Sequence, residues 1–230
     1  VRNLTKRLTR FLRQAGLWIS IKIKTSNFRE ICSGRIGHGK LYRSNHPVCD
    51  GIQVKEIAFA AGAAGINSII NLVDSEASVK SKIVHCPWYK KLYEDGNVIA
   101  LHMNMKFMDN LFGKKLKKGI LYMVEKNPPY LFHCEAGIDR TGFVSMVLEI
   151  LLGAHFNEIV KGYMLSFVTN SEYSENDFKQ GAMYIKNMMS RIKGEAIIPG
   201  EDFSLIIHDY LINKLGLNHE DIIKLKNVLI

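Results

Sequence analysis

One cysteine and one arginine stand six positions apart in the run His133-Cys134-Glu135-Ala136-Gly137-Ile138-Asp139-Arg140-Thr141-Gly142. An apolar segment, Tyr130-Leu131-Phe132, leads into it and an apolar helix-like stretch leads out. A strand that enters a Gly-containing loop and leaves through a helix N-terminus turns successive backbone N–H groups toward one point, which suits an anion and phosphate above all. Beside Arg140 and a helix N-terminus, the Cys134 thiol is expected to ionise at neutral pH and act as a nucleophile. Arg140 offers a planar fork of donors that matches two phosphate oxygens and follows the charge as it moves in the transition state. The amides of Glu135, Ala136, Gly137, Ile138, Asp139 and Arg140 take the remaining oxygens, and Gly137 lets them approach without a side chain in the way. Thr141 can give its hydroxyl proton to the departing sulfur. His133 either orients the loop by hydrogen bonding or fills the strand end. A plain core thiol would need none of Arg140, Gly137 and Thr141.

Displacing an ester oxygen also needs a proton donor, and two carboxyls qualify. Asp109, in the segment Asn104 to Leu111, follows a strand and would lie in a loop at the same sheet edge. Asp139 sits in the cysteine loop itself, where it could equally brace the loop by accepting hydrogen bonds. Loop placement favours Asp109 over Asp139.

The elements that must position these residues are legible in outline. Val54 to Ala64 reads as a helix, Asn67 to Val73 as a buried strand and Asn97 to His102 as a second strand. Pro128-Pro129 ends a helix that starts near Leu116, and Tyr130 to His133 forms a third strand running into the cysteine loop. Gly34-Arg35-Ile36-Gly37-His38-Gly39-Lys40 satisfies most of a nucleotide-binding loop, yet Leu41 stands where a hydroxyl should meet magnesium. Its glycines instead predict a hairpin or tight turn into Leu41-Tyr42-Arg43-Ser44. Beyond residue 141 only helices are expected, roughly 142–152, 156–168, 175–192, 202–214 and 219–228. Strands alternating with helices imply an α/β fold with a mostly parallel central sheet flanked by helices, ligands at the carboxyl ends of the strands and an all-helical C-terminal part. Met183, Met188 and Met189, at helical spacing, fit either a core helix or an adaptable lid.

Composition bounds the rest. The 230 residues suit one α/β domain, without repeats, low-complexity tracts or a linker at which to cut it. Four cysteines without CxxC spacing give no disulfide framework and no metal pattern, so free thiols, a reducing cytoplasmic setting and no metal or other cofactor are expected. The net charge of +9 is concentrated at the start, because residues 1 to 29 carry eight Lys or Arg and no acid. Residues 1–26 therefore form a basic helical segment ahead of a single domain over 27–230. Leu4, Leu8, Phe11, Leu12 and Leu17 share one helical face, which would either pack on the domain or lie on an anionic membrane. No segment approaches the roughly 20 apolar residues of a membrane span, and no nucleic acid is called for. Lys114-Lys115-Leu116-Lys117-Lys118 reads as a solvated helix face, or as a basic rim to the site.

The signature His133-Cys134-x5-Arg140-Thr141-Gly142 resembles that of the protein tyrosine and dual-specificity phosphatase superfamily. Within it the chain looks most like the bacterial tyrosine phosphatase family, whose loop reads Cys-x-Ala-Gly-Lys-Asp-Arg-Thr-Gly. Asn27-Phe28-Arg29-Glu30, Leu41-Tyr42-Arg43-Ser44, Gly162-Tyr163-Met164-Leu165-Ser166, Tyr210-Leu211 and Gly216 to Leu229 are similar to further stretches of that family, so the likeness covers about residues 27–230. It implies a phosphatase fold and metal-free hydrolysis of phosphotyrosine-type monoesters in phosphorylated proteins or peptides, through a phosphocysteine. The family's loop lysine is replaced here by Ile138, and Glu135 adds a negative charge, which together disfavour a polyanionic inositide substrate. The family's Asp-Leu-Arg after the first strand stands here as Asn71-Leu72-Val73. A phosphoinositide or inositol phosphate phosphatase using the same residues is the alternative reading, and a non-enzymatic phosphate-binding or membrane-associated module is the second.

Overall fold

Ser-Ile-Ile-Asn at 68–71 and Tyr-Leu-Phe-His at 130–133 are strands in which every residue is buried, as expected where helices cover both faces of a sheet. The computed structural model describes residues 26–48, 52–167 and 173–230, so nearly all of the expected basic helix at 1–26 lies outside the described residues. The strands are β1 (Arg29–Glu30), β2 (Leu41–Ser44), β3 (Ser68–Asn71), β4 (Val98–Ala100) and β5 (Tyr130–His133), in the sheet order β1-β2-β5-β3-β4. β1 runs antiparallel to β2, and all other pairs are parallel. The turn between β1 and β2 is the hairpin anticipated at Gly34 to Lys40, with φ +60° at Gly34 and +72° at Gly39.

Neighbouring side chains on a strand point to opposite faces and enter different cores. Ile69 and Leu131 pack with Ile57, Ala61, Val79 and Tyr89, beneath α1 (Ile52–Ala63), α2 (Glu76–Lys82) and α3 (Pro87–Glu94). Ile70 and Phe132 pack with Phe112, Phe143, Val147 and Leu148 in the larger core. That core lies under α4 (Asn110–Glu125), α5 (Asp139–Leu151), α6 (Phe156–Met164), α7 (Glu175–Lys193), α8 (Phe203–Asp209) and α9 (His219–Leu229), with a π turn at Tyr210–Lys214. Among the described residues all regular elements after β5 are helical. In α7, Met188 and Met189 are buried while Met183 is exposed, so this is a core helix. Among the described residues no helix is long and apolar enough to cross a membrane.

α4 starts at Asn110, well before Leu116, because Asp109 is its N-cap and accepts the Phe112 N–H at 2.6 Å. α2 and α3 were not anticipated: α2 is seven residues long, and α3 begins with Pro87 in its first turn.

The strand register determines what meets at the functional edge. Ser44, His133 and Asn71 are partners across β2, β5 and β3, and Asn71 pairs onward with Ala100 of β4. The chain therefore leaves four adjacent strands at one level, delivering Asn45-His46, Cys134, Leu72 to Asp74 and Leu101 to Met103 to the same edge.

Candidate active site

Cys134 follows β5 directly and is buried, and the loop from it closes into α5 at Asp139. Five consecutive carbonyls of this loop are held by donors. The Cys134 carbonyl takes a hydrogen bond from His133 Nδ1 at 3.3 Å, that of Glu135 from the His46 N–H at 2.9 Å, and that of Ala136 from Asn27 Nδ2 at 3.1 Å. The Gly137 carbonyl accepts from Arg43 Nη2 at 2.7 Å and that of Ile138 from the Gly142 N–H at 2.7 Å. Peptide units whose oxygens are tied in this way leave their N–H groups for the other side, which is how a backbone nest for an anion is built. Gly137 has φ +69°, and a Cβ there would lie 2.6 Å from the Ser44 carbonyl oxygen, so both conformation and space require glycine.

Arg140 Nη1 donates to the Met103 carbonyl at 3.0 Å, which fixes the guanidinium against the loop after β4. Arg140 Nε and Thr141 Oγ1 are buried without a hydrogen-bond partner. Such groups are costly unless a ligand or water completes them. Glu135 and Ala136 are exposed at the outer end of the loop, while Ile138, Asp139 and Arg140 are half-buried.

The two carboxyls read as proton donors differ sharply. Asp109 is occupied on both oxygens, by the Phe112 N–H and by Asn104 Nδ2 at 3.0 Å. The Phe112 N–H above all holds its carboxyl below the usual range, against a smaller effect of burial. Asp139 occupies the first turn of α5, half-exposed, near the tyrosines Tyr163 and Tyr184.

Residues that carried only resemblance in the sequence prove to be the loop's supports. Arg43 is buried and spans Ser145 Oγ (2.9 Å), the Gly137 carbonyl and Ser166 Oγ (3.2 Å). Burial lowers its pKa to about 10, with the Glu149 carboxylate opposing, so it stays a cation at neutral pH. Arg29 reaches the same Ser166 hydroxyl at 2.7 Å and the Gly162 carbonyl at 2.8 Å. Asn27, at φ 54°, also donates to the Ser166 carbonyl at 3.4 Å. Glu149, buried beneath these arginines, has its pKa raised to about 7 by burial despite the Ser33 hydroxyl at 2.6 Å.

His133 is wholly buried, and burial followed by the neighbouring His46 keeps its pKa well below the ordinary value, so the ring is neutral. The lysine run divides. Lys115 Nζ donates to the His102 carbonyl, next to the residue that holds Arg140, whereas Lys117 reaches the Gly216 carbonyl and Lys114 and Lys118 line a groove on α4. Among the described residues the cysteines Cys32, Cys86 and Cys134 are free.

Sheet and loop together define an α/β protein with a Cys-x5-Arg loop at the carboxyl edge of a mostly parallel sheet. The chain belongs to the tyrosine phosphatase family, whose model matches residues 23–230. Among solved structures, P. aeruginosa TpbA in complex with pTyr is similar at 14% identity and TM-score 0.47, over 82% of this chain and 92% of that one. The core catalytic domain of the PP-IP phosphatase SIW14 from S. cerevisiae, in complex with citrate, is similar at 20% identity and TM-score 0.42, over 73% and 91%. No curated protein matches the chain. The protein is thus a phosphatase-family member with the protein tyrosine phosphatase-like fold read from its sequence.

Proposed function

We propose that the protein hydrolyses phosphotyrosine-type monoesters of phosphorylated proteins or peptides through a phosphocysteine, without a metal or other cofactor. The observation that carries this reading is the loop from Cys134 to Arg140, in which five consecutive carbonyls are tied, those of Glu135, Ala136 and Gly137 by the distant residues His46, Asn27 and Arg43. Cys134 Sγ attacks phosphorus and the ester oxygen leaves with a proton. Water then attacks phosphorus and the P–S bond breaks, returning the thiolate and inorganic phosphate. The unpartnered Arg140 Nε and Thr141 Oγ1 supply donors for a phosphate oxygen and for the departing sulfur.

For the proton donor the geometry supports Asp139, the reverse of the preference drawn from sequence. Asp109 spends both oxygens on capping α4 and on Asn104, and an acid held below its usual pKa is a poor donor at neutral pH. Glu135 exposed at the loop and Ile138 in place of lysine support a singly phosphorylated substrate over a polyanionic lipid. The free thiols support a reducing, cytoplasmic setting. The basic sequence before residue 26 lies outside the described residues, and its two readings, packing on the domain or contact with an anionic membrane, are separated by deleting residues 1–24: loss of liposome binding with unchanged turnover supports the membrane.

Comparing kcat/KM for a phosphotyrosine peptide, a phosphoserine peptide and inositol lipids tests the substrate class. The peptide with phosphotyrosine should be preferred. A strong lipid preference would overturn the choice, and phosphate binding without hydrolysis of any ester would leave a binding module.

A further inference from the structure

Behind the cysteine loop, on the side away from the arginines, lies a buried polar network that the reaction as written does not use. Asp74, three residues beyond β3, is buried and collects four donors. Its Oδ2 accepts from His46 Nε2 at 2.6 Å and Asn71 Nδ2 at 3.0 Å; its Oδ1 accepts from Ser78 Oγ at 2.8 Å and Lys82 Nζ at 2.7 Å. Burial alone would raise its pKa, but the hydrogen bonds from His46, Lys82, Asn71 and Ser78 outweigh it and keep the carboxylate ionised.

The partners fix every proton in the network. His46 Nδ1 accepts the Val48 N–H at 3.1 Å, so its proton is on Nε2 and points at Asp74. His133 Nδ1 faces a carbonyl and must donate, so its Nε2 is an acceptor and the Tyr89 hydroxyl at 3.1 Å donates to it. The Tyr89 oxygen in turn takes the Asn71 amide at 3.1 Å. Two directed arms result. One runs from Asn71 through Tyr89 and His133 to the carbonyl of Cys134, and the other passes through His46, whose backbone N–H holds the carbonyl of Glu135.

We infer that Asp74 is a positioning residue: with Tyr89 it sets the orientation of the first two peptide units of the phosphate-binding loop, Cys134 and Glu135. His46 stacks edge-on against His133 at 4.9 Å, so the two arms are also packed against each other. This inference rests on the reading of Cys134 as the nucleophile, and the test separates the two.

The variants Asp74→Asn and Tyr89→Phe of the full chain are compared with wild type for p-nitrophenyl phosphate turnover and for binding of inorganic phosphate, below the Tm of each. Asn can offer one acceptor oxygen to donors that need two, so Asp74→Asn should lower kcat about 10- to 100-fold, the scale of a sub-ångström to ångström misplacement. Phosphate affinity should fall several-fold alongside, and Tyr89→Phe should shift both in the same direction by less. A merely structural role would lower Tm and leave kcat and phosphate affinity of the folded protein unmoved; that result in both variants overturns the inference. Should Asp74→Asn not fold, Tyr89→Phe decides alone. If wild type binds phosphate but turns over no ester, the enzyme reading fails while the phosphate comparison still decides the positioning role. A wild type that binds no phosphate ends both.

Discussion

Two walls grip the cysteine loop, and they are made of opposite chemistry. On one side buried Arg43 reaches the carbonyl of Gly137, and half-buried Arg29, joined to it through Ser166, reaches the Gly162 carbonyl, with Glu149 beneath both. On the other side the neutral His133 imidazole and the backbone N–H of His46 hold the carbonyls of Cys134 and Glu135, with the Tyr89 phenol and the Asn71 amide behind His133 and the formal charges of Asp74 and Lys82 further back. The loop is therefore oriented from both sides but charged from one. A dianion bound at the loop feels the arginines directly, whereas the His133 side contributes geometry alone. Damage to the two walls should therefore leave different signatures.

Breaking the cationic wall should cost most. Arg43→Met removes the anchor of Gly137 and one counter-charge of buried Glu149, and urea denaturation should show a loss of about 3–5 kcal/mol, typical of halving a buried charged network. Arg43→Lys should recover only part, because an ammonium cannot span Ser145, Gly137 and Ser166 as the fork does. Equal stability of Arg43→Met and wild type would remove the wall from the account.

The two carboxyls sharpen the contrast at the mouth of the site. Asp139→Asn should reduce kcat about 10²- to 10⁴-fold for esters with poor leaving groups and little for p-nitrophenyl phosphate. Asp109→Ala should instead lower Tm by loosening the start of α4, with no such leaving-group dependence. The opposite pattern restores Asp109 as proton donor.

Between the walls, Gly137→Ala should reduce kcat/KM about 10²-fold, since its Cβ meets the Ser44 carbonyl and tilts the nest. Near wild-type kinetics would mean that the loop tolerates a different backbone path.

The smallest effect concerns pH. The pKa of Glu149 is raised to about 7 in the fold, so the stability it contributes is complete below its unfolded value, about 4.3, and is lost as pH rises through about 7. Glu149→Gln should flatten the decline in stability across that window, as followed by denaturation at several pH values. An unchanged slope would show that the arginines keep Glu149 ionised throughout.

The central strands, the loop and the helical C-terminal part were legible because each rests on local pattern: a short apolar run, a glycine at the turn, helical periodicity. Pairings across the sheet were not. His46 and Asp74 are 28 positions apart and meet only because β2, β5 and β3 end level. Asn27, Arg43 and Ser166 were visible as family words without roles, since Asn27 and Arg43 hold loop carbonyls and Ser166 braces Arg43, contacts that no spacing rule reveals. Asp109 shows a subtler difficulty. Its position before Asn110 is a helix-start signal, which the sequence reading, with a helix from near Leu116, did not use.

The central claim, that this loop hydrolyses phosphate esters through its cysteine, is tested most directly by Cys134→Ser. With p-nitrophenyl phosphate as substrate and inorganic phosphate as ligand, turnover should fall to background while phosphate still binds with near wild-type affinity. Hydrolysis near the wild-type rate in that variant would contradict it.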